Sequence, residues 1–268
     1  MDTIQPLRTL PDGKKFKSYE KEAQSFLPQN SYAVLRMDGK NFSSYTKRFE
    51  KPYDFQFIGA MDATTRLLCE TIPGVIVGYT QSDEISLIFS DRKNERTDHW
   101  LGGKTSKILS LAAAYTTAFF LEQTRSFVGE AATAGGIPPV FDARLHTLTD
   151  CDEIQEYVRW RRFDAQKNSV TMAANTLHSH RELMGKSSKE RLALLEGTPY
   201  EQLPEEFYNG RVTYRKEYMV PGFQMLGPAS KQDSEAVPVM VKRSRWETEA
   251  ATRTFMEGEL LTILDTAR

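Results

Sequence analysis

Tyr32-Ala-Val-Leu-Arg-Met-Asp38-Gly39-Lys40-Asn41-Phe42 and Val75-Ile-Val-Gly-Tyr79-Thr-Gln81-Ser82-Asp83-Glu84-Ile85-Ser-Leu-Ile-Phe89 bracket the stretch that decides the fold. In the first, a β-prone apolar run stops at an acid and a glycine. In the second, two runs rich in β-branched and aromatic residues flank a short polar turn carrying two acids. Between them, residues 53–70 carry Phe57, Ile58, Met61, Leu67 and Leu68 at helical spacing, which predicts one amphipathic helix. The order is strand, helix, strand, turn, strand.

That order brings distant residues together. A strand–helix–strand unit returns its second strand parallel to the first through a right-handed crossover. The tight turn then sends the third strand back antiparallel. If that strand inserts between the other two, as in a split βαβ arrangement, its start lies beside the end of the first. Asp38 ends the first strand and Asp83 begins the third, so both carboxylates are expected on one sheet edge. Alone, each acid reads as an ordinary turn former. Together they suit Mg²⁺, a hard cation that keeps waters and takes the rest of its shell from substrate phosphates. Two such ions stabilise both the attacking and the leaving oxygen of a phosphoryl displacement. Gly39 frees the backbone to turn, so its carbonyl could face the metal and the following amides a triphosphate.

Further along, residues 15–26 are expected to be helical, and residues 91–98 form a charged turn. A long helix is expected from His99 or Trp100 to about Thr124, with Leu101, Ile108, Leu111, Ala112, Tyr115 and Phe119 on its apolar face. Gly102-Gly103-Lys104-Thr105-Ser106 imitates the end of a phosphate-binding P-loop. That motif requires a glycine where this chain has Asp98, and an apolar strand leading in, so a P-loop is excluded. Lys104 and Lys107 read either as two solvated lysines or as a basic pair facing phosphates.

Gly135-Gly136-Ile137-Pro138-Pro139 is a loop, and residues 140–146 are a fourth strand. The completed set predicts an α+β fold: a ferredoxin-like antiparallel sheet of the polymerase-palm type with helices on one face. Fold alone does not give function. The helix after Cys151 interleaves Tyr157, Trp160 and Phe163 with Arg159, Arg161, Arg162 and Lys167. That pattern reads either as an RNA-backbone patch or as a helix whose aromatic residues point inward and whose arginines snorkel. Past Thr171 the composition changes. A capped short helix at 186–197, a strand at 211–218, a loop-rich 222–238 and a last element near 247–264 suggest a small C-terminal α/β appendage. The division drawn is 1–175, palm-like catalytic domain, and 176–268, appendage.

With 268 residues, 40% apolar and 26% charged, the chain is an ordinary globular protein by composition. Its net charge of −1 excludes a global basic field, so any nucleic acid binds through local patches. Two cysteines, Cys69 and Cys151, isolated in sequence, exclude a Cys-rich zinc framework and argue against a disulfide scaffold. His178 and His180, two residues apart, do not share a helix face. No signal peptide opens the sequence, and no apolar run is long enough to span a membrane, so a cytoplasmic location is expected.

Taken together, Arg36-Met-Asp38-Gly39-Lys40-Asn41-Phe42, Lys51-Pro52, Gly78-Tyr79-Thr80-Gln81-Ser82-Asp83-Glu84-Ile85-Ser86 and Phe141-Asp142-Ala143-Arg144 resemble the tRNA-His guanylyltransferase superfamily. Arg159-Trp160-Arg161 and Tyr214-Arg215-Lys216 extend the resemblance over roughly residues 15–220. It implies a nucleotidyltransferase that works in reverse: the 5′ end of an RNA is activated, and the 3′-hydroxyl of an incoming nucleotide attacks that phosphate. The metal ligands carry over onto Asp38, the Gly39 carbonyl and Asp83, with two Mg²⁺ ions implied; Ser82 and Glu84 border the site, Glu84 with a catalytic role. Nucleotide contacts are implied for Lys40, Asn41, Phe42, Ser43, Lys51, Asp54, Ser82, Lys104 and Lys107, and RNA contacts for Arg159, Arg161 and Asn168. Implied partners are tRNA, GTP, ATP and other nucleoside triphosphates, and a tetrameric assembly.

One departure matters. Eukaryotic members carry His-Ile-Asn-Asn where this chain has Gln166-Lys167-Asn168-Ser169. The chain therefore resembles the guanylyltransferase-like branch of bacteria, archaea and phages, which repairs truncated tRNA 5′ ends by templated 3′–5′ addition. Single-G addition to tRNA-His is the alternative. Readings from other classes are a nucleotidyl cyclase, which uses the same acids without RNA, and a non-catalytic RNA-binding protein.

Overall fold

The computed structural model describes residues 13–92, 98–129, 138–226 and 235–266. The first strand, β1 (Tyr32–Lys40), leads through a short helix α2 (Phe42–Tyr45) to α3 (Phe55–Thr71), β2 (Val75–Gln81) and β3 (Glu84–Ser90). A helix α1 (Gly13–Glu22) precedes them. Then come α4 (Thr105–Val128), β4 (Val140–Leu148) and α5 (Cys151–Leu177). Three short helices follow, α6 (His180–Leu183), α7 (Ser188–Ala193) and α8 (Glu205–Asn209). The chain ends in β5 (Arg211–Leu226), β6 (Glu235–Ala250), α9 (Arg253–Glu257) and α10 (Glu259–Asp265).

All six strands form one sheet in the order β4-β1-β3-β2-β5-β6. β3 lies between β1 and β2 and is antiparallel to both, so the expected split βαβ holds. The first four strands are the ferredoxin-like set, and β5 adds to the open edge of β2 over Val77–Thr80. Alternation sorts the β1 side chains onto two faces. Ala33, Leu35 and Met37 enter a core with α3 and α4; Tyr32 and Val34 enter a second core with α5, α9 and α10. The crossover helices α3 and α4 thus share one face, and the later helices cover the other. Burial on both faces explains why β1 and β3 read as continuous apolar runs.

Four boundaries differ from expectation, each for a local reason. α1 stops at Glu22 because Ser25–Leu27 pair instead with the segment before α4: Leu27 donates to the Gly103 carbonyl (2.8 Å) and Thr105 to that of Ser25 (3.0 Å). α4 starts at Thr105, since Leu101, Gly102 and Gly103 adopt left-handed backbone (φ 57°, 63° and 70°) that no α-helix continues. Residues 222–226 and 235–238 are not loop but the outer part of a two-stranded ribbon of β5 and β6. The ribbon accommodates Pro221 and Pro238 because it has open edges, where a missing N–H costs no ladder bond. Finally, residues 247–264 divide between the end of β6 and the pair α9 and α10. Residues 93–97 of the expected turn at 91–98, and the glycines Gly135 and Gly136, lie outside the described residues. Among those described, no helix is long and apolar enough to cross a membrane.

Candidate active site

At one edge of the sheet, β1 and the β2–β3 turn come together. Asp38 stands directly opposite Glu84 in the ladder, and the Gly39 N–H donates to the Asp83 carbonyl (3.1 Å). Asp83 itself lies in the turn, one residue before β3 begins. Ser82 holds left-handed backbone (φ 45°) and donates its hydroxyl to Asp83 Oδ1 (3.0 Å). Asp38 and Asp83 line the same cavity, about 320 Å³, with Asn168 and Asn175 of α5 opposite them. Desolvation raises the Asp83 carboxyl above the usual carboxylate range, and the negative charge of Asp38 adds to that rise. Among the described residues, no three His, Cys, Asp or Glu side chains come close enough to hold a metal ion by themselves. Two mutually repelling carboxylates at an open cavity are instead the donor set of an ion that completes its shell with water and phosphate, as Mg²⁺ does.

Glu84 has another task. Its carboxylate accepts from Arg161 Nε (2.7 Å) and Nη2 (2.9 Å), with Arg36 4.0 Å away. Arg161 is 4% exposed and also donates to Asp164 (2.8 Å). The expectation that Arg161 contacts RNA is therefore not met, and Glu84, expected to act in catalysis, is tied up in a buried ion pair. The pair pins α5 to β3 beside Asp38. Arg159 is exposed, and Asn168, about two turns beyond Arg161 on α5, faces the cavity.

A second, larger cavity of about 460 Å³ adjoins the first and shares Gln81, Ser82, Asp83, Asn168 and Met172 with it. Ser43, Lys51 and Asp54, for which the resemblance implies nucleotide contacts, line it. Burial lowers the Lys51 ammonium pKa, while Asp54 and Asp83 pull it back. Asp54 caps α3, accepting from the amides of Phe57 (2.8 Å) and Glu50 (2.9 Å), so it shapes the loop rather than offering a free carboxylate. Phe42 touches the cavity but belongs to the core, its ring 4.9 Å from that of Phe141 and 5.5 Å from that of Phe120. Asn41 takes left-handed backbone (φ 56°) to start the turn, and Lys40 closes β1 opposite Val140; neither lines the cavity. Lys104 and Lys107 sit where α4 meets Ser25–Leu27, at the end of the sheet where β1 begins. With β1 running from Tyr32 to Asp38 at about 3.3 Å per residue, they lie roughly 20 Å from the acids in the same chain.

Arg211 was not foreseen. It opens β5, is 2% exposed, and binds Asp62 through Nε (2.5 Å). It lines the larger cavity, and its Nη2 is buried without a hydrogen-bond partner in the protein. A single arginine at the start of a strand carries no sequence signal. Only the pairing of β5 with β2 brings it here.

Known proteins resemble this chain in sequence and in fold. A family described as Thg1, tRNAHis guanylyltransferase, matches residues 13–149. Among solved structures, a bacterial tRNA(His) guanylyltransferase (Thg1)-like protein in complex with ATP is similar with TM-score 0.75 and 26% identity, over 94% of this chain and 98% of that one. Such a protein in complex with GTP gives 0.70 and 26%, over 94% and 96%. The tRNA(His) guanylyltransferase of Neurospora crassa is 25% identical over 256 residues, 89% of this chain and 85% of that protein.

Proposed function

Since the chain belongs to the tRNAHis guanylyltransferase family, nucleotidyltransferases that add nucleotides to tRNA 5′ ends, we propose that it is a Mg²⁺-dependent, template-directed 3′–5′ nucleotidyltransferase that repairs truncated tRNA. The observation that carries the active-site reading is the shared cavity of Asp38 and Asp83, opening onto a second cavity of nucleotide size. Asp38, Asp83 and the Gly39 carbonyl would hold the ions, which would supply charge stabilisation to the phosphoryl transfer. Lys51 and Ser43 offer a triphosphate a cation and a hydroxyl in the lining of the larger cavity. Asn168 offers an amide where the two cavities meet. In the reaction, the 3′-oxygen of the nucleotide forms a new bond to the activated 5′-phosphorus of the RNA, and the bond from that phosphorus to the activating group breaks.

Support for templated repair over single-G addition comes from Gln166–Ser169. The Gln166 amide donates to the Asn209 side chain (2.9 Å). Ser169 is buried, with its hydroxyl on the Gln166 carbonyl (2.8 Å) and near the Tyr200 hydroxyl (3.2 Å). Both side chains are thus tied to protein partners, Ser169 in the wall of the larger cavity, and in this reading a template base selects the added nucleotide. The test is to offer 5′-truncated tRNAs carrying triphosphate ends with each nucleotide in turn. Extension that follows Watson–Crick pairing is expected; G added opposite any base would contradict the repair reading.

A further inference from the structure

β2 and β5 pair only between Val77–Tyr214 and Thr80–Arg211, so the two strands part at the start of β2. A cavity of about 480 Å³ fills that fork, walled by Val75 and Ile76 of β2, Arg215 of β5 and Trp246 of β6. Arg92, just past the end of β3, lines it as well. β3 runs from Glu84 to Ser90, which at about 3.3 Å per residue puts this cavity roughly 20 Å from the acids. It shares no lining residue with either cavity at the acids. We infer that it is an anion site, separate from the active site, which takes a compact phosphate group between Arg92 and Arg215.

Three donor groups carry the inference. Arg92 is fixed by neutral partners: Nε donates to the Asn30 carbonyl (2.8 Å), Nη2 donates to that of Thr149 (3.1 Å), and the guanidinium lies over the Tyr32 ring. Arg215 stands opposite Trp246 in the β5–β6 ladder, its guanidinium 5.6 Å from the ring centroid. Neither arginine has an ion-pair partner among the described residues. Trp246 is 9% exposed, and its Nε1–H, which can only donate, has no acceptor in the protein. A buried N–H left in that state is costly, and a ligand oxygen beside it removes the cost.

Charge sets the class of ligand. The single acid in the wall is Glu70, exposed near the end of α3. Two guanidinium groups against one carboxylate leave the cavity positive, and both are charge-assisted donors suited to phosphate oxygens. Glu70 repels the row of further phosphates that a nucleic-acid strand would bring, so one compact group is favoured. An anion held there joins the end of β3 to the ribbon of β5 and β6 where the ribbon leaves the sheet. Its binding therefore stabilises the fold, which gives a readout independent of nucleotide addition.

The test is calorimetric titration and thermal unfolding of the full chain without Mg²⁺ or RNA. Inorganic phosphate is the probe, and sodium chloride at matched ionic strength is the control. At about a hundredfold excess over its Kd, phosphate is expected to raise Tm by roughly 5 °C or more. Arg215→Gln and Trp246→Phe are each expected to weaken phosphate by about tenfold or more. Lys51→Gln, in the larger cavity, should leave phosphate binding unchanged. Glu70→Gln is expected to tighten it by about threefold, a gain that a merely structural change would not produce. Ribose 5-phosphate in the same titration separates a free ion from a phosphate ester: whichever binds tighter through Arg215 is the source. A phosphate effect no greater than that of sodium chloride overturns the inference. So does phosphate binding that Lys51→Gln removes and Arg215→Gln does not. A 5′-hydroxyl RNA oligonucleotide that binds through Arg215 where inorganic phosphate does not would assign the cavity to a nucleic-acid backbone and overturn it too. Should Trp246→Phe unfold, Arg215→Gln and Glu70→Gln, both at exposed positions, decide.

Discussion

At the scale of the residue, the site rests on a division of labour among three neighbouring acids. Asp38 and Asp83 face a cavity, whereas Glu84 is satisfied by the Arg161 fork. That difference was not legible in the sequence. Ser82-Asp83-Glu84 shows adjacent carboxylates, and only α5, arriving from residues 151–177, decides which of them is neutralised. Similarly, Arg159-Trp160-Arg161 looked like an RNA-facing run because helix period alone does not say which face packs. Breaking the buried pair gives a measurable consequence. Arg161→Met leaves the buried Glu84 without its hydrogen-bonded partner and with Arg36 4.0 Å away, which costs about 3–5 kcal/mol. Thermal unfolding is expected to show Tm lowered by roughly 10 °C. The double variant Arg161→Met with Glu84→Leu should regain most of that loss, because no buried charge remains. A single variant as stable as the parent would show that the pair does not hold α5 to the sheet.

At the scale of the element, the end of β1 is the part the sequence states most clearly. An apolar run ending in Asp38-Gly39 gave both the strand and its terminus to within two residues of the observed Lys40. Gly39 is required there by packing. A Cβ at this position would overlap the Phe42 ring, which is locked among Tyr45, Phe120 and Phe141. Gly39→Ala is therefore expected to cost about 1–3 kcal/mol by overpacking, read by denaturant unfolding. It should also slow nucleotide addition by roughly tenfold or more, because the Gly39 N–H positions the Asp83 turn and small misplacements cost about that much. Wild-type turnover in this variant would separate the Phe42 packing from the geometry of the acids. Where elements were misplaced, the cause was pairing at a distance. α1 is cut short by strand-like contacts of Ser25–Leu27 with Gly103–Thr105. The ribbon of β5 and β6 runs through two prolines that local rules read as loop.

At the scale of the whole molecule, the order β4-β1-β3-β2 follows from the sequence because crossover handedness and one tight turn leave few alternatives. Addition of β5 to β2 does not, since nothing local marks the open edge of β2 as the place where residue 211 joins. That one junction closes the larger cavity: it sets Arg211 in the wall and lets α8 bring Phe207 across from Tyr53. Lys104 and Lys107 stand apart from the acids because α4 begins at the far end of the sheet, against Ser25–Leu27. The central claim is that sheet topology makes Asp38 and Asp83 one divalent-cation site under a nucleotide. Anomalous diffraction from crystals soaked in Mn²⁺ and a non-reacting GTP analogue tests it most directly. A peak within about 2.5 Å of carboxylate oxygens from both residues, lost in Asp38→Asn and in Asp83→Asn, is the predicted result. Manganese bound elsewhere, or bound unchanged in both variants, would contradict it.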